Sequence, residues 1–141
     1  MFFAWCNGDS TIKDETKKKE FCDWTLQTIE EIVDKFIVKF KREFNEKATD
    51  KMAKVDGFLD WYLSEILSGS AGVVGLESIR RIVGIAKVRD ITIISEVASD
   101  EARVKAERII VTFAKNCIKN REKFKCGADY IKAINEAIAL Y

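Results

Sequence analysis

Histidine is absent from this 141-residue chain, and so is proline. Without histidine the commonest general base and metal ligand near neutral pH is missing. Helical di-iron sites built on Glu-x-x-His pairs are thereby excluded, and a cysteine nucleophile has no imidazole beside it. Without proline nothing removes a backbone N–H or clashes with the preceding turn, so long helices joined by plain connections are expected. Long apolar runs are missing too: no stretch approaches the roughly 20 residues that a bilayer-spanning helix needs. Charge of one sign is also lacking. The 24 Lys and Arg are matched by 23 Asp and Glu, a net +1, whereas a module held by phosphate attraction is basic on one face. Lys17-Lys18-Lys19 is the one basic run and reads as a solvated helix start. No nucleic-acid partner is expected.

Cysteine is sparse. Cys6, Cys22, Cys117 and Cys126 are too few for a disulfide scaffold in a chain of this size, and no Cys-x-x-Cys spacing supports zinc. The apolar start, Met1 to Trp5, is shorter than a signal-peptide core and lacks a basic flank. The expectation is a cytoplasmic chain with four free thiols, no metal and no cofactor. Glycine gives no phosphate cradle: Gly69, Gly72 and Gly75 are spaced by threes and lack the following Lys and Ser/Thr. Ser70 lies in Ser68-Gly-Ser-Ala-Gly72, which is not a nucleophile elbow. The carboxylate pairs Asp56/Asp60 and Glu96/Asp100 are four apart on helices and read as solvated. An enzyme is not expected.

What is present is helical periodicity. Residues 1–13 read as an irregular lead-in with a turn at Asn7-Gly8-Asp9-Ser10, its Phe2, Phe3 and Trp5 packing on the body. Phe21, Trp24, Ile29, Ile32, Phe36, Phe40 and Phe44 predict a long amphipathic helix over 14–46. Met52, Val55, Leu59, Tyr62 and Ile66 predict another over 50–67, widened by Phe58 and Trp61 and ended by Ser68 to Gly72. Residues 76–98 carry apolar side chains all round the wheel, including Ile79, Ile82, Ile85, Ala86, Ile91 and Ile94. A helix apolar on every side is normally buried on every side, so this segment is expected to be the central one. Ser99 is placed to cap a helix running to about Lys123, with Gly127 as its left-handed stop. A last helix over 128–140 shows Ile131, Ile134 and Ile138 on one face. The predicted architecture is all-α: one domain over 1–141, a helical bundle with a central buried helix.

Two stretches resemble the Bcl-2 family of apoptosis regulators, most closely its short viral members. Gly75-Leu-Glu-Ser-Ile-Arg-Arg-Ile-Val-Gly-Ile-Ala86 is similar to the family's Asn-Trp-Gly-Arg-Ile entry into its central helix. Lys123-Phe-Lys-Cys-Gly-Ala-Asp-Tyr130 is similar to the family's Trp-Ile-x-x-x-Gly-Gly-Trp stretch. Gly127 lies 46 positions after Arg81, close to the family's separation. Ser78-Ile79-Arg80 departs from Asn-Trp-Gly, and Ala128-Asp129 from the second glycine and tryptophan. The resemblance implies an anti-apoptotic protein that sequesters the amphipathic helices of pro-apoptotic proteins in an apolar groove. It implies that Arg81, or Arg80 in a shifted register, pairs with a ligand aspartate, and that Phe58, Tyr62, Ile66 and Val83 line the groove. It further implies a host cytoplasmic location, mitochondria-associated through partners, and a form without its membrane anchor. Beside it stand a helical interaction or homodimerisation module using Phe58, Trp61 and Tyr62, and a lipid carrier.

Overall fold

The computed structural model describes every residue except Ala86, so that position of the expected central helix lies outside the described residues. The all-α expectation holds. Among the described residues are six α-helices: α1 Phe2–Thr11, α2 Glu15–Lys47, α3 Phe58–Val83, α4 Arg89–Val97, α5 Asp100–Lys119 and α6 Gly127–Ile138. Single 3₁₀ turns, Met52–Lys54 and Arg121–Lys123, join α2 to α3 and α5 to α6.

The long second helix starts where its cap dictates. The Asp14 carboxylate accepts from the Thr16 and Lys17 N–H groups at 3.0 and 3.1 Å, satisfying donors that the first turn leaves free. With 33 residues, α2 is about 50 Å long. The expected lead-in before it is a helix as well. Trp5, Cys6 and Gly8 of α1 are buried, and a Cβ at Gly8 would overlap the Phe21 ring of α2. Gly8 therefore allows close helix contact and makes no turn.

The glycine-rich stretch expected to end the next helix lies inside α3. Ser68, Ala71, Gly75, Ser78 and Ile82 are buried on one stripe of it, at the three- and four-residue spacing of a helix face. A Cβ on Gly75 would stand 2.6 Å from the Ala114 carbonyl and 2.7 Å from Ile118. The small residues let α3 press against the α5 backbone, so what resembled a linker is a packing surface.

Residues 79–97 do not form the central helix. The helix stops at Gly84, Ile85 is 101 % exposed, and Val83 and Val97 are exposed too. The α4 helix that follows buries Ile91 and Ile94 on one face. The central buried helix is α5. It contacts α1, α3, α4 and α6 and buries Ala106, Ile109, Ile110, Phe113, Ala114 and Cys117. The Ser99 hydroxyl caps it as expected, accepting from Ala102 N–H at 3.1 Å.

Gly127 does not stop α5; it begins α6. Its N–H donates to the Asp34 carboxylate of α2 at 2.8 Å, and a Cβ there would overlap the Glu30 carbonyl. The first turn of α6 is thus seated on the side of α2, with a negative charge at its positive end. Asp129 closes the same turn, accepting from Lys125 and Cys126 N–H at 2.8 and 3.0 Å. Burial opposes ionisation of this carboxyl, but those two N–H bonds, the Cys126 thiol and the Lys132 charge together outweigh it and hold its pKa below the ordinary value. All four thiols are unpaired. Among the described residues no helix is long and apolar enough to cross a membrane.

Candidate functional site

The small-residue stripe draws α3 toward α5 and away from α2. Between α2 and α3 a cleft of about 510 Å³ remains open. The α2 wall is Ile29, Ile32, Val33 and Phe36, one helical face by spacing. Leu67 and Val74 of α3 form the opposite wall, Phe113, Tyr130 and Ile134 the floor, and Met1 to Phe3 one end. Each wall keeps exposed side chains: Ile32 at 58 % and Phe36 at 41 % on α2, and Val74 at 37 % on α3.

Its polar groups are few, and Ser78 and Glu77 are already engaged. The Ser78 hydroxyl donates to the Val74 carbonyl at 2.7 Å. The Glu77 carboxylate accepts from Arg80 Nε and Nη2 at 2.8 and 2.7 Å and also from Arg81 Nε. Those guanidinium hydrogen bonds hold its pKa at about 2, so it is ionised and neutralised in place. Burial pushes the Tyr130 hydroxyl up to about 12. Cys117, likewise buried, is pushed up to about 12, and burial first, then Asp9, raises Cys6. Thiols so placed stay protonated and are not nucleophiles near neutral pH. No group of three or more Cys, Asp or Glu placed to hold a metal occurs among the described residues.

The residues singled out from sequence fall at two ends of α3. Phe58 and Tyr62 stack with ring centroids 5.8 Å apart and meet Phe44 of α2 at 6.2 and 6.3 Å. Arg80, Arg81 and Val83 lie exposed at the other end, about 35 Å along the axis, and Ile66 sits half-buried between. No single groove collects them. The cleft instead uses Ile29, Ile32, Val33, Phe36, Leu67 and Val74. The sequence carried one signal for it, an α2 stripe longer than a bundle of this size can cover.

That stripe gives the molecule two regions. From Leu26 to Tyr62 no residue is fully buried. Phe36, Phe40, Phe44, Phe58, Trp61 and Tyr62 touch mainly one another, at centroid distances of 5.5 to 6.5 Å. They form an arm of two helices and aromatic rings, continuous through Phe36 with the cleft.

No family model matches the chain. Several curated relatives share one name. Methylthioribose kinase of Exiguobacterium sibiricum is 31 % identical over 129 residues, 92 % of this chain and 30 % of that protein. Methylthioribose kinase of Enterobacter sp. strain 638 is 29 % identical over 82 % of the chain and 28 % of that protein. That of Citrobacter koseri is 28 % identical over 97 % of the chain and 31 % of that protein. The chain thus spans about three-tenths of the length of the curated relatives it matches.

These similarities overturn the apoptosis reading. They run through both halves of the chain under one consistent name, whereas the Bcl-2 resemblance rested on two short stretches. The structure shows why those stretches misled: Arg80-Arg81-Ile82-Val83 ends a helix where the family motif enters one, and Gly127 starts a helix. The anti-apoptotic function, the viral and host associations and the sequestered death-ligand helices are withdrawn with it. The expectation that the chain is no enzyme is withdrawn too, because its relatives are named for phosphoryl transfer.

Proposed function

We propose that this chain is the helical portion of a methylthioribose-kinase-like protein and works in phosphoryl transfer to methylthioribose. One observation carries the reading: independent bacterial relatives share this name and align with 82 to 97 % of the chain in the three cases described. The structure is compatible with a supporting part of such an enzyme. The α3–α5 contact makes a firm body, and Gly69, Gly72 and Gly75 lie within α3, where helical hydrogen bonds occupy most of their backbone N–H groups. Kinase catalysis is chiefly positioning and electrostatic stabilisation of the transferred phosphoryl group. A rigid helical body that holds the rest of the enzyme in register contributes to the first of these.

The test is a chimera in which this chain replaces the matching 129 residues of the Exiguobacterium kinase. The expected result is methylthioribose-dependent conversion of ATP to ADP well above a no-substrate control. A monodisperse, helical chimera with turnover at background would overturn the reading.

A further inference from the structure

The unusual feature of this molecule is a helical arm with nothing on it. Helices in proteins owe most of their stability to the packing of an apolar face, and contiguous exposed apolar patches mark surfaces that something covers. Here the Ile29–Phe36 face of α2 and the Leu67–Val74 face of α3 stand apart across a cleft. Trp61 and Tyr62 carry the apolar surface onward at 58 and 41 % exposure. The cleft's one carboxylate, Glu77, is neutralised by Arg80 and Arg81. The seat is therefore mainly apolar and offers no unpaired carboxylate, and it suits an apolar segment better than a cation.

We infer that the cleft and the aromatic arm are an interdomain seat, filled by the part of a longer kinase-like polypeptide that lies outside these 141 residues. This rests on the proposed kinase reading. Each relative described carries roughly seven-tenths of its length beyond the matching region. In those proteins the region similar to this chain is joined to that additional length. Interdomain contacts within one polypeptide typically bury on the order of 600–1,500 Å², which takes more than a single pocket, and here the cleft continues along the arm through Phe36. The occupant presents apolar side chains toward Ile32, Phe36 and Val74 and needs no cation for Glu77.

Cysteine labelling tests this directly. Ile32→Cys and Val74→Cys place thiols on the two walls; Val38→Cys places one on the opposite face of α2, where Val38 is 69 % exposed. All three sites are open enough for the chain to tolerate the change. Maleimide labelling is measured in the 141-residue chain, in the chimera and at the aligned positions of the natural Exiguobacterium kinase, which keeps the test alive if the chimera does not fold. The expected result is labelling of the cleft sites as fast as Val38→Cys in the chain alone. In the longer proteins they should label at least about tenfold slower, with the control unchanged. Cleft sites equally fast in the longer proteins would overturn the inference. So would cleft sites already protected in the chain alone in proportion to its concentration, since the occupant would then be a second copy. The two proposals fail separately. A chimera that phosphorylates methylthioribose with freely labelled cleft sites retains the function and removes the seat. Protected cleft sites in an inactive chimera retain the seat and remove the function.

Discussion

The two sides of α3 differ in one respect that decides their behaviour. Toward α5 it presents Ser68, Ala71, Gly75 and Ser78, small enough for backbones to meet. Toward α2 it presents Leu67 and Val74 across an open cleft from Ile32 and Phe36. Small side chains have closed one contact, whereas on the other Val74, Ile32 and Phe36 stay exposed. Side-chain size alone therefore does not tell core from surface here. Phe113 is 3 % exposed and Phe36 41 %, although both lie on apolar helical stripes.

The sharpest way to test that contrast is to truncate both rings. Phe113→Ala is expected to cost about 3–5 kcal/mol in urea unfolding, as a buried aromatic lost from a closed core does. Phe36→Ala should cost no more than about 1.5 kcal/mol, because its ring is 41 % exposed and its one ring partner is Phe40. Equal losses would mean that the arm is part of the core.

Next in size is the closed contact itself. Gly75→Val puts methyl groups where even a Cβ overlaps the Ala114 carbonyl, and should cost about 1–3 kcal/mol by overpacking. The same change at Gly69, where a Cβ meets nothing within 4 Å, is expected to leave the midpoint almost unmoved. A smaller effect is expected where α6 meets α2. Asp34→Ala removes the acceptor for Gly127 N–H and should cost about 1 kcal/mol, read as a lower denaturation midpoint with unchanged helix content.

The smallest effect is a pH dependence. The folded pKa of Asp129 is depressed, so its contribution is present above the ordinary carboxylate pKa and is lost as pH falls through the folded value. Acid titration of stability should be shallower in Asp129→Asn than in the parent protein. An unchanged acid limb would remove Asp129 from the account.

Much of this was legible in the sequence, and the parts that were not share a cause. The extent of α2 followed from its aromatic period, and the start of α5 from Ser99, because both are local signals. The glycines at 69–75 and 127 were misread because glycine marks a turn by one mechanism and a close helix crossing by another. The difference lies in Ala114 and Glu30, far away in the chain. The apolar residues of 79–97 suggested a central helix, but β-branched residues also serve a turn and a one-sided short helix. In α5 the burial was diluted in sequence by Arg103, Lys105, Glu107 and Arg108 on its outer face. The cleft was not legible because it exists only where two helices fail to meet.

The buried thiols turn the body of the molecule into a clock. Cys6, Cys22 and Cys117 are buried, while Cys126 at the α5–α6 junction is half-exposed. An alkylating reagent reaches Cys126 more readily than the other three, which react only when their surroundings open, so each slow rate is a local opening frequency. Cys6 and Cys22 sit in one cluster with α4, and Cys117 in the other with α6. Mass spectrometry of partly alkylated protein would therefore time the two halves of the core independently, with Cys126 marking the start.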